Sequence, residues 1–491
     1  MSRIYQNFNG LFFPGFAKLL QFFSSLFMLK VLALNFSPEE IALWSSALSG
    51  IAFFGLIFIG PIGTYINRNL INWTNEFSLI KILFYHFCYL CLITLISVAF
   101  FYFFNNNLEN NSSNLFFFLY IIPLILLFQV IFITYHSFLN LFGRNKEYLS
   151  ISFVISVLLI LLPFLFITLM GNKLIFWGLG FLLSNIIAAS MSLYYLNDFI
   201  KFSITNPKLK FDKNFLDKSK VFIIPSLIFA LLSWVNIHGY KFGLIYSGFS
   251  IEVISYLIVG LTLSHSLFSA LEQILYAVYG SVYQRRVSLN KVNSDEYWAD
   301  LMNGVIPILV VGFLGYISFI DYLPMILLSE SYLSLNRILL IGGIIEVARI
   351  LLNLIFLRNQ GINKTKNMIN PFLISYLVFC SIFTFVFFLF DFSLLIFSLI
   401  MAFISFGTFV QLLNQLSFEV INKIYVNLKN LLLKLILISF LIFTSKELLI
   451  FFEINKLVII IFLLISWILF SFNIILNDKN LDILSTPFKP D

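Results

Sequence analysis

Charge is scarce in this sequence: of its 491 residues only 11% are Asp, Glu, Lys or Arg, while 60% are hydrophobic. A soluble domain coats itself with roughly a quarter charged residues, and a chain with a mean hydropathy of +0.98 cannot hide its apolar surface in a water-soluble core. That excludes a soluble globular protein and implies a polytopic membrane chain. Cysteine is nearly missing too. Cys88, Cys91 and Cys380 all lie inside apolar runs, so no disulfide framework can be read from them. Cys88 and Cys91 form a CxxC, but with no second pair or adjacent histidine they read as two small buried residues rather than a zinc site. There is no GxxxxGK followed by Ser or Thr, so this chain does not itself hydrolyse a nucleotide through a P-loop.

What is present is a long succession of apolar runs. About twenty apolar residues in helix cross roughly 30 Å of hydrocarbon. Spans are expected near 11–34, 41–66, 82–104, 115–140, 149–169, 174–197, 221–246, 253–279, 301–320, 337–357, 371–390, 392–415, 430–445 and 457–476. The first run lacks a small-residue cleavage site and is expected to stay as a span rather than be removed as a signal peptide. With the N-terminus inside, the inner loops and tails carry 21 of the 30 Lys and Arg, against four outside (Lys173, Arg337, Lys446, Lys456). That asymmetry predicts both termini on the cytoplasmic side, so the net charge of +7 is a topology signal and not a nucleic-acid footprint.

Two stretches look like copies of one hairpin. Residues 11–68 contain LFFPGFAKLLQFFSSLFMLK, the bend NFSPEE and a run ending GPIGTYINR; residues 222–285 contain FIIPSLIFALLSWVNIHGYK, then GFSIEV and a run ending YGSVYQR. Pro14 and Lys30 match Pro225 and Lys241, the bend residues Phe36, Ser37 and Glu39 match Phe249, Ser250 and Glu252, and Gly63 and Arg68 match Gly280 and Arg285. Six spans return the chain to the same side, so the expected architecture is an all-α parallel repeat. Its parts are an N-terminal lobe (1–200), a lysine-rich cytoplasmic linker (201–220), a C-terminal lobe (221–416), and a last helix pair with its tail (417–491).

Polar groups inside spans are the candidates for function, because an ionised group in hydrocarbon is costly unless it faces a cavity or a partner. Five basic residues lie within spans, Lys18, Lys30, Lys241, Arg349 and Lys434, against two acids, Glu272 and Glu346. Lys434 sits one turn from a span end, where it can snorkel. Glu346 and Arg349, three apart, read equally as a neutralised pair or as an acid beside a substrate-binding cation. Lys18 is the deepest lysine, with no acid in the first six spans to pair with it; Lys30 and Lys241 hold matching positions and either snorkel or face a central cavity. His265 and Glu272 are two turns apart on one face and suit an ion relay as well as a buried hydrogen-bonded pair, and His238 lies three residues before Lys241. Metal ligation is not expected.

Fourteen spans arranged six, six and two, a proline-containing first hairpin with the FSPEE bend, and Gly63 to Arg68 closing the second span resemble the Wzx-type flippases of lipid-linked O-antigen units. These form part of the polysaccharide transporter branch of the multidrug and oligosaccharidyl-lipid exporter superfamily. The resemblance implies two lobes around a cationic cavity in the bacterial inner membrane. The substrate it implies is an undecaprenyl-pyrophosphate-linked oligosaccharide, with a polysaccharide polymerase and chain-length machinery as partners. On this sequence the pyrophosphate would fall to Lys18, Lys30, Lys241 and Arg349. No cofactor is implied; an inside-negative potential favours outward movement of negative charge by about 2.3 kcal/mol per charge per 100 mV. An obligatory counter-ion is therefore not expected, although the His265 and Glu272 pair keeps H⁺ or Na⁺ antiport open. Rival readings are a multidrug exporter, which the absence of intramembrane acids in the first six spans disfavours, and a lipid II flippase, which shares the head group. An O-antigen polymerase or other membrane glycosyltransferase is disfavoured by the short outer loops, the largest spanning about 321–336.

Overall fold

The computed structural model describes residues 20–21, 23–66, 79–106, 117–142, 144–203, 213–239, 241, 251–280, 283, 286–287, 293–328, 332, 335–361, 369–389, 394–413, 416, 418–452 and 456–477. Within them the chain is helical, and the described part of each of the fourteen expected spans falls on a helix. In chain order these are α1 (Phe23–Asn35), α2 (Pro38–Ile66), α3 (Leu79–Asn106), α4 (Ile122–Leu141, entered through a π turn at Phe117–Ile121), α5 (Asn145–Met170), α6 (Leu174–Ser203) and α7 (Lys213–Trp234). They continue as α8 (Ile251–Leu275), α9 (Ser294–Phe319), α10 (Asn336–Gly361), α11 (Ile369–Leu389), α12 (Leu394–Leu413), α13 (Phe418–Phe451) and α14 (Lys456–Asn477). Among the described residues nine helices are long and apolar enough to cross a membrane, which makes this a multi-pass membrane protein.

The bend between α1 and α2 shows how local sequence sets a boundary. Ser37 caps α2: its Oγ accepts from the Glu40 N–H at 3.3 Å, and the Glu40 carboxylate accepts from the Ser37 N–H at 3.0 Å. This reciprocal capping box, with Pro38 at the first helical position where no N–H is needed, is why NFSPEE stops one helix and starts the next.

Two features depart from the expected spans. Four helices contain or adjoin π turns, at Phe54–Ile59 in α2, Phe117–Ile121 before α4, Val235–Gly239 after α7 and Tyr276–Gly280 after α8. And α13 runs for 34 residues, far beyond the expected 430–445. Lys446, assigned from its charge to an outer loop, is instead inside that helix and 4% exposed. Its Nζ donates to Asp321 at 2.8 Å and lies 5.6 Å from the Tyr322 ring centroid, so the helix continues because the ammonium has partners.

The described residues form two compact units, one up to residue 259 and one from residue 260 onward. In the first, α7 packs against the π turn of α2, joined by Trp234 Nε1 donating to the Ser49 carbonyl at 2.9 Å. In the second, α13 and α14 pack on α9. Val311, Leu435, Ile442, Leu463 and Trp467 form a buried apolar cluster there, and Trp467 Nε1 donates to Ser318 Oγ at 3.1 Å.

Candidate functional site

The second unit holds a buried polar cluster built by α8 and α10. A helix brings residues three, four and seven apart onto one face, so α8 presents His265 and Glu272, and α10 presents Glu346, Arg349 and Asn353. Arg349 Nε donates to Glu346 Oε2 at 2.7 Å and Nη1 donates to Glu272 Oε2. Asn353 Nδ2 donates to Glu272 Oε1 at 2.6 Å, and His265 Nδ1 donates to Glu346 Oε1 at 3.0 Å. The sequence reading paired His265 with Glu272; in the fold Glu346 and Arg349 link the two. Pairing within one helix is legible from spacing, whereas which helix stands opposite is not.

Two carboxylates and one guanidinium leave one formal negative charge in this cluster. The His265 side chain is 30% exposed against 6% for Glu346 and 11% for Glu272 and Arg349, so it is the most open member. Arg349 Nη2 is buried and has no protein acceptor among the described residues.

The close approach of α8 and α10 has a sequence cause. At Gly342 an added Cβ would stand 2.8 Å from Ser264 Cβ, and at Gly343 one would stand 2.7 Å from the Tyr316 ring. With no side chains there, α8 and α9 can press against α10. The Tyr316 hydroxyl donates to the Leu339 carbonyl at 2.7 Å and lies 2.8 Å from Ser264 Oγ, which knots the three helices two turns from Glu346.

The first unit holds a different kind of site. Lys241, only 5% exposed, donates from Nζ to Ser45 Oγ on α2 at 2.9 Å. It lies just past the π turn Val235–Gly239 that contains His238. Lys30 is half-buried on α1. Lys18, Pro14, Arg68 and Arg285 lie outside the described residues.

His136 takes a structural role. The His136 ring stacks 3.9 Å from that of Tyr148, and its Nε2 donates to the Tyr148 carbonyl at 2.8 Å. Charged clusters also fasten helices in the second unit. Arg358 pairs with Asp295 at 2.7 Å, and Lys423 lies 3.4 Å from Glu296 and 3.5 Å from Asp300. Among the described residues no group of three or more His, Cys, Asp and Glu is placed to hold a metal.

No protein-family model matches the sequence, and no curated protein matches it. Solved structures do. Lipid II flippase MurJ in an inward closed conformation superposes with a TM-score of 0.62 at 17% identity, over 93% of this chain and 96% of that one. A eukaryotic MATE transporter, AtDTX14, gives 0.59 at 12% identity, over 86% of this chain and 99% of that one. An inward-facing multidrug resistance MATE family transporter of the MOP superfamily gives 0.55 at 14% identity, over 86% and 98%. At these identities the likeness is one of fold. The chain has the architecture that these membrane transporters share.

Proposed function

We propose that this chain is a flippase that carries an undecaprenyl-pyrophosphate-linked oligosaccharide, the repeat unit of an O-antigen or related surface polysaccharide, from the cytoplasmic to the outer leaflet of a bacterial inner membrane by alternating access. The observation that carries the choice among transporters is the fate of the acids. Organic-cation export needs carboxylates free to meet the cargo, and both in-span acids, Glu272 and Glu346, are committed to Arg349, His265 and Asn353. A lipid-linked sugar diphosphate asks for the opposite, a cationic and hydrated path for a head group whose desolvation would otherwise be prohibitive.

We assign the pyrophosphate to Lys18, Lys30 and Lys241. Arg349 moves out of that set, since two carboxylates hold it in the ion cluster. His265, Glu346, Arg349 and Glu272 are then the candidate ion relay, with His238 a separate group beside Lys241.

A lipid II flippase is the second reading, favoured by the likeness to MurJ over nearly the full length of both chains. Purified protein in liposomes decides between them. A labelled undecaprenyl-pyrophosphate oligosaccharide should appear in the opposite leaflet only when protein is present, and Lys241→Ala should slow this at unchanged protein level. Exposure of labelled lipid II instead would select the second reading, and movement of organic cations with neither lipid would discard both.

A further inference from the structure

We infer that the π turn Phe54–Ile59 of α2 is a rotary joint, latched by the hydroxyl of Tyr89 on the neighbouring helix α3. A π turn carries one more residue than an α turn, and such turns cluster at functional sites and kinks. Here its sequence cause is plain. Pro61 has no N–H for the ladder and its ring crowds the carbonyl of Ile57 four residues back, a clash that a wider turn relieves. The turn closes through the Gly60 N–H donating to the Gly55 carbonyl, the five-residue spacing of a π bond. A Cβ on residue 60 would lie 3.2 Å from that same oxygen, so glycine permits the closure.

The ladder broken by the wide turn leaves room for an outside donor, and Tyr89 supplies it: its hydroxyl donates to the Phe58 carbonyl at 2.8 Å. Around the turn the contacts are aromatic and can slide. Phe53 stacks on Phe100 at 5.6 Å and meets Trp234 edge-on at 4.9 Å, and Phe54 meets Phe100 at 5.5 Å. A second π turn, Tyr276–Gly280, follows α8, the helix that the hairpin match pairs with α2; because Gly280 matches Gly63, it corresponds to the residues just after the first turn and not to the turn itself.

Closing the turn to α geometry adds one regular step to the helix. The segment beyond it, Gly60–Ile66, then turns by about 100° and advances about 1.5 Å relative to the segment before it. Position 63 would take the direction now held by exposed Thr64, and position 65 that of buried Ile66. In the proposed transport cycle, on which this step rests, the rotation changes the face that the C-terminal end of α2 presents.

Single cysteines at positions 62 to 66 of the full-length protein in native membrane vesicles, labelled with a small maleimide, test the joint. With Tyr89 present, Thr64→Cys should be the most reactive of the set. Tyr89→Phe, which removes only the latch, should move the maximum to Gly63→Cys and protect Tyr65→Cys several-fold. Gly60→Ala, which presses on the π bond itself, should shift the pattern the same way and serves if Tyr89→Phe is poorly produced. An unchanged pattern in a well-folded variant overturns the joint. The labelling needs no transported substrate, so a failed liposome assay with a shifted pattern would count against the flippase reading alone.

Discussion

Arg349 is the residue on which the buried cluster of the second unit depends. It holds two carboxylates in a setting where neither has water to fall back on, and an ion pair of this kind costs several kcal/mol when one partner is removed. Arg349→Met should therefore destabilise the purified protein by about 3–5 kcal/mol, read as a lower thermal midpoint in detergent. Adding Glu272→Gln and Glu346→Gln removes the two stranded charges and should restore most of the loss. A triple variant no more stable than Arg349→Met would mean that the carboxylates are not the cause. The pairing of Glu346 with Arg349 was readable from their spacing of three. The link from His265 to Glu346 was not, because it joins residues 81 apart in sequence.

Between helices, the small residues of α10 decide how near α8 and α9 may come. Gly342→Ala would press on Ser264 and on Leu261, whose Cδ2 lies 3.2 Å from the added atom. Overpacking of this sort costs about 1–3 kcal/mol, and by separating α8 from α10 it should also loosen the His265–Glu346 contact; a thermal midpoint equal to the parent's would show that the helices yield freely. The other element worth testing is α13, fastened near one end to α9 through Lys423 and near the other to the turn after α9 through Lys446. Asp321 is half exposed, so solvent screens its bond to Lys446, and a double-mutant cycle of Lys446→Met with Asp321→Asn should return a coupling of only about 1 kcal/mol. No coupling at all would leave the apolar cluster around Trp467 as what holds α13 in place. Hydropathy placed Lys446 in a loop because it scores a charge without its partner, and the partner came from a turn more than a hundred residues earlier.

For the molecule as a whole, the flippase reading makes the membrane potential a driving force. Collapsing the potential at a constant pH gradient should reduce flipping of the labelled oligosaccharide, by up to the roughly 2.3 kcal/mol per charge per 100 mV that the field supplies. Full activity under a pH gradient alone would instead make the ion cluster around His265 the coupling element. Orientation is testable apart from transport. Single cysteines near residues 3 and 489 should both resist an impermeant maleimide added outside intact cells, as the charge asymmetry expects; labelling of either would reverse that reading.

Sequence alone determined the solvent and, among the described residues, where most of the helices run. A 60% hydrophobic chain has nowhere but lipid to place its apolar surface, and in lipid each segment must satisfy its own backbone hydrogen bonds. Such constraints are local, and local patterns express them, as the Ser37–Glu40 capping box does. Tertiary structure alone decided which polar groups meet. Lys241 finds Ser45, His265 finds Glu346, Lys446 finds Asp321 and Tyr89 finds the Phe58 carbonyl across gaps of 31 to 196 residues. Each is a contact between different helices, set by packing geometry, and a periodic apolar pattern records only which face of a helix is turned inward, not which helix will stand against it.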